Sequence, residues 1–278
     1  MFTSCCPGWV RFLKSQYPHL VPQLSTAKSP QQMFGSVMKS YFAESIGVKP
    51  ENMFTVSIMP CVAKKGESNM ELFYGEYAGH ETDVVLTTRE LTRMIRSAHI
   101  DPASLVDREC DPLMKEWTGA GVIFGATGGV MEAALRSAYY LVTKKNPEPD
   151  AFKAVRGLDG WKEAEFDLDG TDIKVAVASG LGNTRRLMNA IKKGEVHYDF
   201  VEIMSCPGGC INGGGQPFKD DASMVEERRN VLYGLDKHNN IRFSHENPSV
   251  IKCYEEYFEK PLSCLLYTSD AADDLIGV

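Results

Sequence analysis

The chain has 278 residues, 43% of them hydrophobic and 24% charged, with a net charge of −7 and a pI near 5.5. That is enough chain for one large domain or two lobes with cores of their own, and the acidic balance argues against a nucleic-acid partner, which needs a basic face. No apolar run is long enough to span a bilayer, and the N-terminus lacks the charged-then-apolar pattern of a secretion signal.

Along the chain, short apolar runs alternate with amphipathic stretches. After Pro30, a favourable helix start, Met33, Phe34, Val37, Tyr41 and Phe42 recur at helical spacing. Phe54 to Ile58 reads as a strand that ends at Met59-Pro60-Cys61. Asp83 to Leu86 reads as a strand and Thr88 to about Ala98 as a helix. Val122 to Phe124 is strand-like, and the glycine-rich Gly125 to Gly129 turns into a helix from about Val130 to Thr143. The polar stretch Lys144 to Asp150 suits a connection between lobes. Ile173 to Ala178 is a strand leading into a helix, Thr184 to Lys193, and Tyr198 to Met204 is a strand running into Cys206. Helical stretches cover about Ala222 to Leu235 and Pro248 to Phe258. The alternation predicts an α/β fold, two lobes with mostly parallel sheets. In such sheets sites form at the carboxyl ends of strands, where Cys61 and Cys206 can converge.

The chain has eight cysteines: Cys5, Cys6, Cys61, Cys110, Cys206, Cys210, Cys253 and Cys264. A disulfide framework belongs to small secreted chains, so metal ligands, a catalytic thiol and inert thiols are the remaining readings. Three segments stand out: Thr3-Ser4-Cys5-Cys6-Pro7-Gly8-Trp9, Met59-Pro60-Cys61-Val62-Ala63-Lys64, and Ser205-Cys206-Pro207-Gly208-Gly209-Cys210-Ile211-Asn212-Gly213-Gly214-Gly215. Glycine there lets backbone approach a bulky inorganic group and aim N–H groups at it. Four thiolates suffice for a four-iron cluster, with zinc as the rival. Zinc sites favour paired short-spaced knuckles, and one of these segments has a single cysteine, so spacing favours iron–sulfur. Cys110 and Cys253 match no such segment and read as inert thiols. Gly125 to Gly129 fits neither the Walker nor the dinucleotide spacing.

TSCCPGW, MPCVAKKGE and EIMSCPGGCINGGGQP resemble, in order, the three signature motifs of the FeFe hydrogenases. LSTAKSPQQMFG and TGAGVIFGATGGVMEAALRSA are also similar to that family, and the likeness covers about residues 1–263. The resemblance implies an H-cluster held between the lobes: a four-iron cubane joined to a two-iron unit that carries carbon monoxide, cyanide and azadithiolate. It implies Cys6, Cys61, Cys206 and Cys210 as cubane ligands, with Cys210 bridging to the two-iron unit. Cys5 would pass protons as a free thiol, with Ser25 next in the relay, although a serine near a helix start is also a common cap. Lys64 would hydrogen-bond a cyanide. Met59, Met204, Phe124 and Pro30 would wall the two-iron unit, with Gln31 and Ser29 nearby; for the apolar residues, ordinary core is the competing reading.

The implied activity is reversible oxidation of dihydrogen, with electrons exchanged with ferredoxin or another carrier and maturation proteins delivering the two-iron unit. The implied setting is the cytoplasm of an anaerobic bacterium, or a hydrogenosome. Two rivals share the resemblance: a hydrogen-sensing homologue, and a non-catalytic Nar-like iron–sulfur assembly protein. Proteins of the Nar-like kind generally carry one cysteine before Pro-Gly-Trp, so the Cys5-Cys6 pair favours the enzyme.

The expected organisation is an H-cluster domain over 1–263, lacking upstream sequence that the family has. Its lobes are expected at about 10–115 and 120–240, with C-terminal helices over 221–260. From Cys264 to about Asp274 the sequence resembles the translation of a sequencing adapter, so residues 264–278 are expected to be a non-native read-through tail that packs poorly.

Overall fold

The computed structural model describes residues 1–75, 79–111, 114–218, 223–258 and 266–267. It begins with an extended segment in which Phe2 bridges both Leu24 and Val201 in parallel register. Thr3 donates its amide to the Val201 carbonyl at 3.0 Å. Helix α1 (Pro7–Gln16) then starts on a proline, where the first helical N–H has no partner to lose. Helix α2 (Pro30–Val37) starts the same way and runs on through one wide π turn, Met38–Phe42, so the predicted spacing covers both.

Strands β1 (Val56–Met59) and β2 (Val84–Thr87) pair in parallel, with Ile58 opposite Leu86 and Met59 opposite Thr87. Val56 and Ile58 on β1, with Phe54 just before it, stand out to solvent. Helix α3 (Ala63–Ser68) begins two residues after Cys61, and α4 (Thr88–Ser97) follows β2 directly. The Thr87 hydroxyl and the Glu90 carboxylate cap the start of α4 reciprocally.

Val122 to Phe124 does not form a strand. Val122 and Ile123 end a short helix, α5 (Gly119–Ile123), and Phe124 caps it. Thr118 starts this helix, its hydroxyl accepting from the Gly121 amide at 3.0 Å. A three-residue apolar run is too short to show whether its period is that of a strand or a helix. Helix α6 (Gly129–Thr143) ends at Lys144 in the left-handed region, φ 58°. The polar stretch expected to connect lobes begins at this helix end. Phe152 and Val155, just beyond, pack into one cluster with Met131 and Leu135 of α6.

The second sheet has the order β3 (Trp161–Asp167), β4 (Asp172–Ser179), β5 (Phe200–Met204). Strands β4 and β5 are parallel and joined through helix α7 (Leu181–Lys192). Strand β3 is an antiparallel edge that the sequence reading missed. One face of this sheet is covered by Trp9 and Leu13 of α1 with Leu187 and Met188 of α7. The other is covered by α6. Helix α1 thus packs on the second sheet, although most of its residues fall in the segment assigned to the first lobe.

Helix α8 (Ser223–His238) supplies Asp236, which accepts from both terminal nitrogens of Arg136 at 2.9 Å in a fully buried pair. Helix α9 (Pro248–Cys253) runs into a π turn, Tyr254–Phe258. Of the stretch from Cys264 onward, only Leu266 and Tyr267 are described, and these two do not pack poorly. Leu266 is buried with Val37, Cys253 and Phe258, and Tyr267 bridges Ala27. An apolar residue settles into an apolar groove whatever its origin. Cys264, Leu265 and 268–278 lie outside the described residues, as does the predicted helix start at Ala222.

Candidate metal centre

Three chain ends of regular structure meet at one place. Strand β1 delivers Pro60-Cys61, β5 delivers Ser205-Cys206, and the extended N-terminal segment beside β5 delivers Cys5-Cys6 at the start of α1. The Cys6 thiol donates to the Ser205 hydroxyl at 3.3 Å and accepts from the Ser205 amide at 3.5 Å. Cys5, Cys6, Cys61, Cys206 and Cys210 are all half-buried, whereas Cys253 is buried and Cys110 exposed.

The thiols feel one another. Burial pushes the Cys210 thiol well above its ordinary pKa, and Cys6, Cys5, Cys61 and Cys206 each add to the rise. Burial raises Cys206, with further increments from Cys6 and Cys61, and raises Cys61, with an increment from Cys6. Mutual influence of this kind requires the five groups to be neighbours. Opposing it are backbone amides aimed at two of the sulfurs: those of Lys64 and Ala63 at Cys61, and that of Gly214 at Cys206. Such donors favour the thiolate form, which is the form that ligates metal. Among the described residues no three of His, Cys, Asp or Glu are grouped to hold one ion. A four-iron cube takes ligands set more widely than one ion does.

The glycines of the third segment have a reason in the main chain. A side chain at Gly213 would place its Cβ 2.1 Å from the Pro60 carbonyl oxygen. The Gly215 amide donates to that same oxygen at 2.8 Å, and the Gly215 carbonyl accepts from the Arg89 amide at 3.0 Å. Gly209 sits at φ +96°, with room for a Cβ only 2.6 Å from the Thr127 nitrogen. The glycine loop therefore lies flat on Pro60-Cys61 on one side and on Gly125 to Thr127 on the other, bringing Cys61 and Cys210 together. These glycines serve backbone-to-backbone contact, a use that the sequence reading did not name.

Lys64 is buried on α3. Its ammonium donates to the Cys5 carbonyl at 3.0 Å and to both oxygens of Glu67, at 3.0 and 2.8 Å. Glu67 also accepts from the Ser29 hydroxyl at 2.9 Å and from the Gln31 amide at 3.5 Å. Gln31 in turn accepts from the Ser57 hydroxyl at 2.9 Å. Lys64, Ser29 and Gln31 are thus brought together around Glu67, a residue the sequence reading left unassigned. The Cys5 thiol is pushed up to about 12, chiefly by burial, with Lys64 pulling the other way.

The other candidates are more dispersed. The Ser25 hydroxyl accepts from the Ala27 amide at 3.2 Å, a local turn contact of the kind serine makes as a cap. Met59 and Phe124 are half-buried, Pro30 is exposed, and Met204 is buried.

Residues 1–214 match the family model described as iron only hydrogenase large subunit, C-terminal domain, and 222–265 match the iron hydrogenase small subunit. The chain belongs to the iron-only hydrogenase large-subunit family. This hydrogenase-family chain is 48% identical over 266 residues to iron hydrogenase 1 of Clostridium pasteurianum, covering 94% of this chain and 46% of that protein. It is 51% identical over 216 residues to the periplasmic Fe hydrogenase large subunit of Nitratidesulfovibrio vulgaris, covering 78% and 51%. A cytosolic Fe-S cluster assembly factor, narfl of Xenopus tropicalis, is 34% identical over 224 residues, covering 78% and 46%. The chain spans about half the length of these relatives. A solved FeFe-hydrogenase from Chlamydomonas reinhardtii superposes with a TM-score of 0.82 at 40% identity, over 97% of this chain and 75% of that one. The α/β fold with parallel strands is that of this family.

Proposed function

We propose that this chain holds an iron–sulfur H-cluster and interconverts dihydrogen with protons and electrons. The observation that carries the reading is the convergence of five half-buried cysteines, one more than a cubane takes. The residues fit the group: two backbone-stabilised thiols, a glycine loop that closes the ligand spacing, and a buried ammonium beside it. Cys6, Cys61, Cys206 and Cys210 would hold the four-iron part, with Cys210 shared with the two-iron unit bearing carbon monoxide, cyanide and azadithiolate. When bound, that cofactor supplies the chemistry of making and splitting dihydrogen and of storing electrons.

The chain's own residues position and protonate. Cys5 would donate and re-accept a proton at its half-buried thiol. Lys64, fixed by Glu67 and the Cys5 carbonyl, presents a charged donor to an anionic ligand. Met59, Met204, Phe124 and Pro30 would wall the two-iron unit and limit water, with Ser29 and Gln31 steadying Lys64 through Glu67. Ser25 would extend the proton relay. Ferredoxin or another carrier would exchange the electrons, and maturation proteins would deliver the two-iron unit. Within the described residues no helix is long and apolar enough to cross a membrane.

Anaerobic reconstitution with iron and sulfide tests the ligands. The wild-type chain is expected to take up about four irons per chain, and Cys206→Ser to lose the cluster. Full retention in Cys206→Ser would refute the ligand set. Cys5→Ser is expected to keep the cubane spectrum while hydrogen evolution by the fully loaded protein falls at least about a hundredfold, the usual scale of a lost acid–base group. Unchanged turnover in Cys5→Ser would show that protons take another route, whereas a fully loaded wild-type chain without turnover would favour the non-catalytic assembly reading, which Cys5 itself argues against.

A further inference from the structure

Glu202 is fully buried on β5, four residues before Cys206, and the functions described so far do not use it. Its two carboxylate oxygens accept from the Gly128 and Met131 amides, each at 2.7 Å. These are orphan donors at the start of α6, a helix with no side-chain cap of its own. The capping position cannot carry a side chain. Gly128 has φ +88°, and a Cβ there would lie 2.1 Å from the Val155 carbonyl oxygen. The helix must therefore be capped from elsewhere, and the neighbouring strand supplies a carboxylate where the helix end is positive.

The segment held this way is the floor of the ligand loop. Thr127 donates its amide to the Gly208 carbonyl at 3.0 Å, and Ile211 donates to the Gly125 carbonyl at 2.9 Å. Gly209 fits against Gly125 to Thr127 only because it has no side chain. Both cysteines of Cys206-Pro207-Gly208-Gly209-Cys210 thus rest on backbone that Glu202 fixes. Burying a carboxylate in a sheet core is costly unless its hydrogen bonds are complete, and here both oxygens are used.

We propose that Glu202 is a positioning residue of the cluster: by capping α6 from β5 it fixes the Gly125–Gly128 turn on which the Cys206–Cys210 loop sits. This rests on the ligand set proposed above. The conservative change Glu202→Gln keeps the shape but turns an N–H2 group toward one of two N–H donors.

The test compares the reconstituted wild-type chain, Glu202→Gln and Glu132→Gln. Glu132 is a buried carboxylate farther along the same helix, paired with Arg136 and Arg156. Both variants are expected to melt earlier than the wild type. Only Glu202→Gln is expected to show shifted spin-resonance g-values for the reduced cubane and about tenfold faster iron release to a chelator, the scale on which groups behind metal ligands act. Wild-type spectra and iron release in Glu202→Gln, or equal changes in both variants, would overturn the proposal. A second measurement needs no variant: cluster loading of the wild-type chain is expected to slow hydrogen exchange at the Gly128 and Met131 amides, and unchanged exchange would also overturn it. A wild-type chain that takes up no iron would defeat the cluster reading instead, so the two failures are distinguishable.

Discussion

Lys64 and Glu67 stand three residues apart on α3, both buried, with the ammonium also bound to the Cys5 carbonyl. Breaking one half of such a pair strands the other charge. Glu67→Gln is therefore expected to destabilise the apo chain by about 3 kcal/mol, and Lys64→Met with Glu67→Gln by less than the single change. Urea unfolding of the three proteins measures this; a double variant no more stable than Glu67→Gln would show that the ion pair is not the cause. Lys64 was legible in the sequence because its motif is, and so were the cysteines that converge beside it. Glu67 was quoted in the same motif yet unassigned, since its role depends on Ser29 and Gln31, which arrive from another helix. Glu202 went unread for the same reason: its partners, Gly128 and Met131, lie more than seventy residues away.

At the scale of elements, two glycine positions separate contact from conformation. Gly213→Ala must displace the Pro60 carbonyl and is expected to cost about 1–3 kcal/mol, the range for overpacked sites. Gly182 lies inside helix α7 with nothing within 4 Å of a built Cβ, so Gly182→Ala is expected to stabilise by about 0.5–1 kcal/mol. Denaturant midpoints decide it, and opposite signs are the required result. The strands at 173–178 and 198–204 could be read from their apolar runs because a strand buried on both faces is continuously apolar. Strand β3 escaped because Trp161 to Asp167 carries four charged residues on a half-exposed edge. Val122 and Ile123 were misread for the reason that also makes their helix short: five residues leave no period to detect.

Across the whole molecule, a half-buried cation makes stability depend on pH. Burial holds the Lys162 ammonium down at about 8, against partial support from Glu202 and Asp159. In the unfolded chain a lysine keeps its proton to about 10.4. Between these values the unfolded state binds more protons, so the contribution of Lys162 to stability rises with pH; below about 8 the lysine is charged in both states and its contribution is flat. Wild-type stability measured relative to Lys162→Met is therefore expected to be constant up to pH 8 and to improve from there toward pH 10. A difference that stays flat through pH 10 would mean that the lysine keeps its ordinary titration.

The clasp between Gly213, Gly215 and the Pro60 carbonyl is main chain on both sides. A distance set by peptide groups is shielded from mutational drift in ways that one set by side chains is not. Substitutions elsewhere in the chain can remodel surfaces, partners and charge while the gap between Cys61 and Cys210 stays constant, because few of them touch the atoms that measure it. Only a change at the glycines themselves edits that gauge. A lineage can therefore diverge widely around the clasp and still present the same socket to an inorganic group whose own dimensions do not evolve.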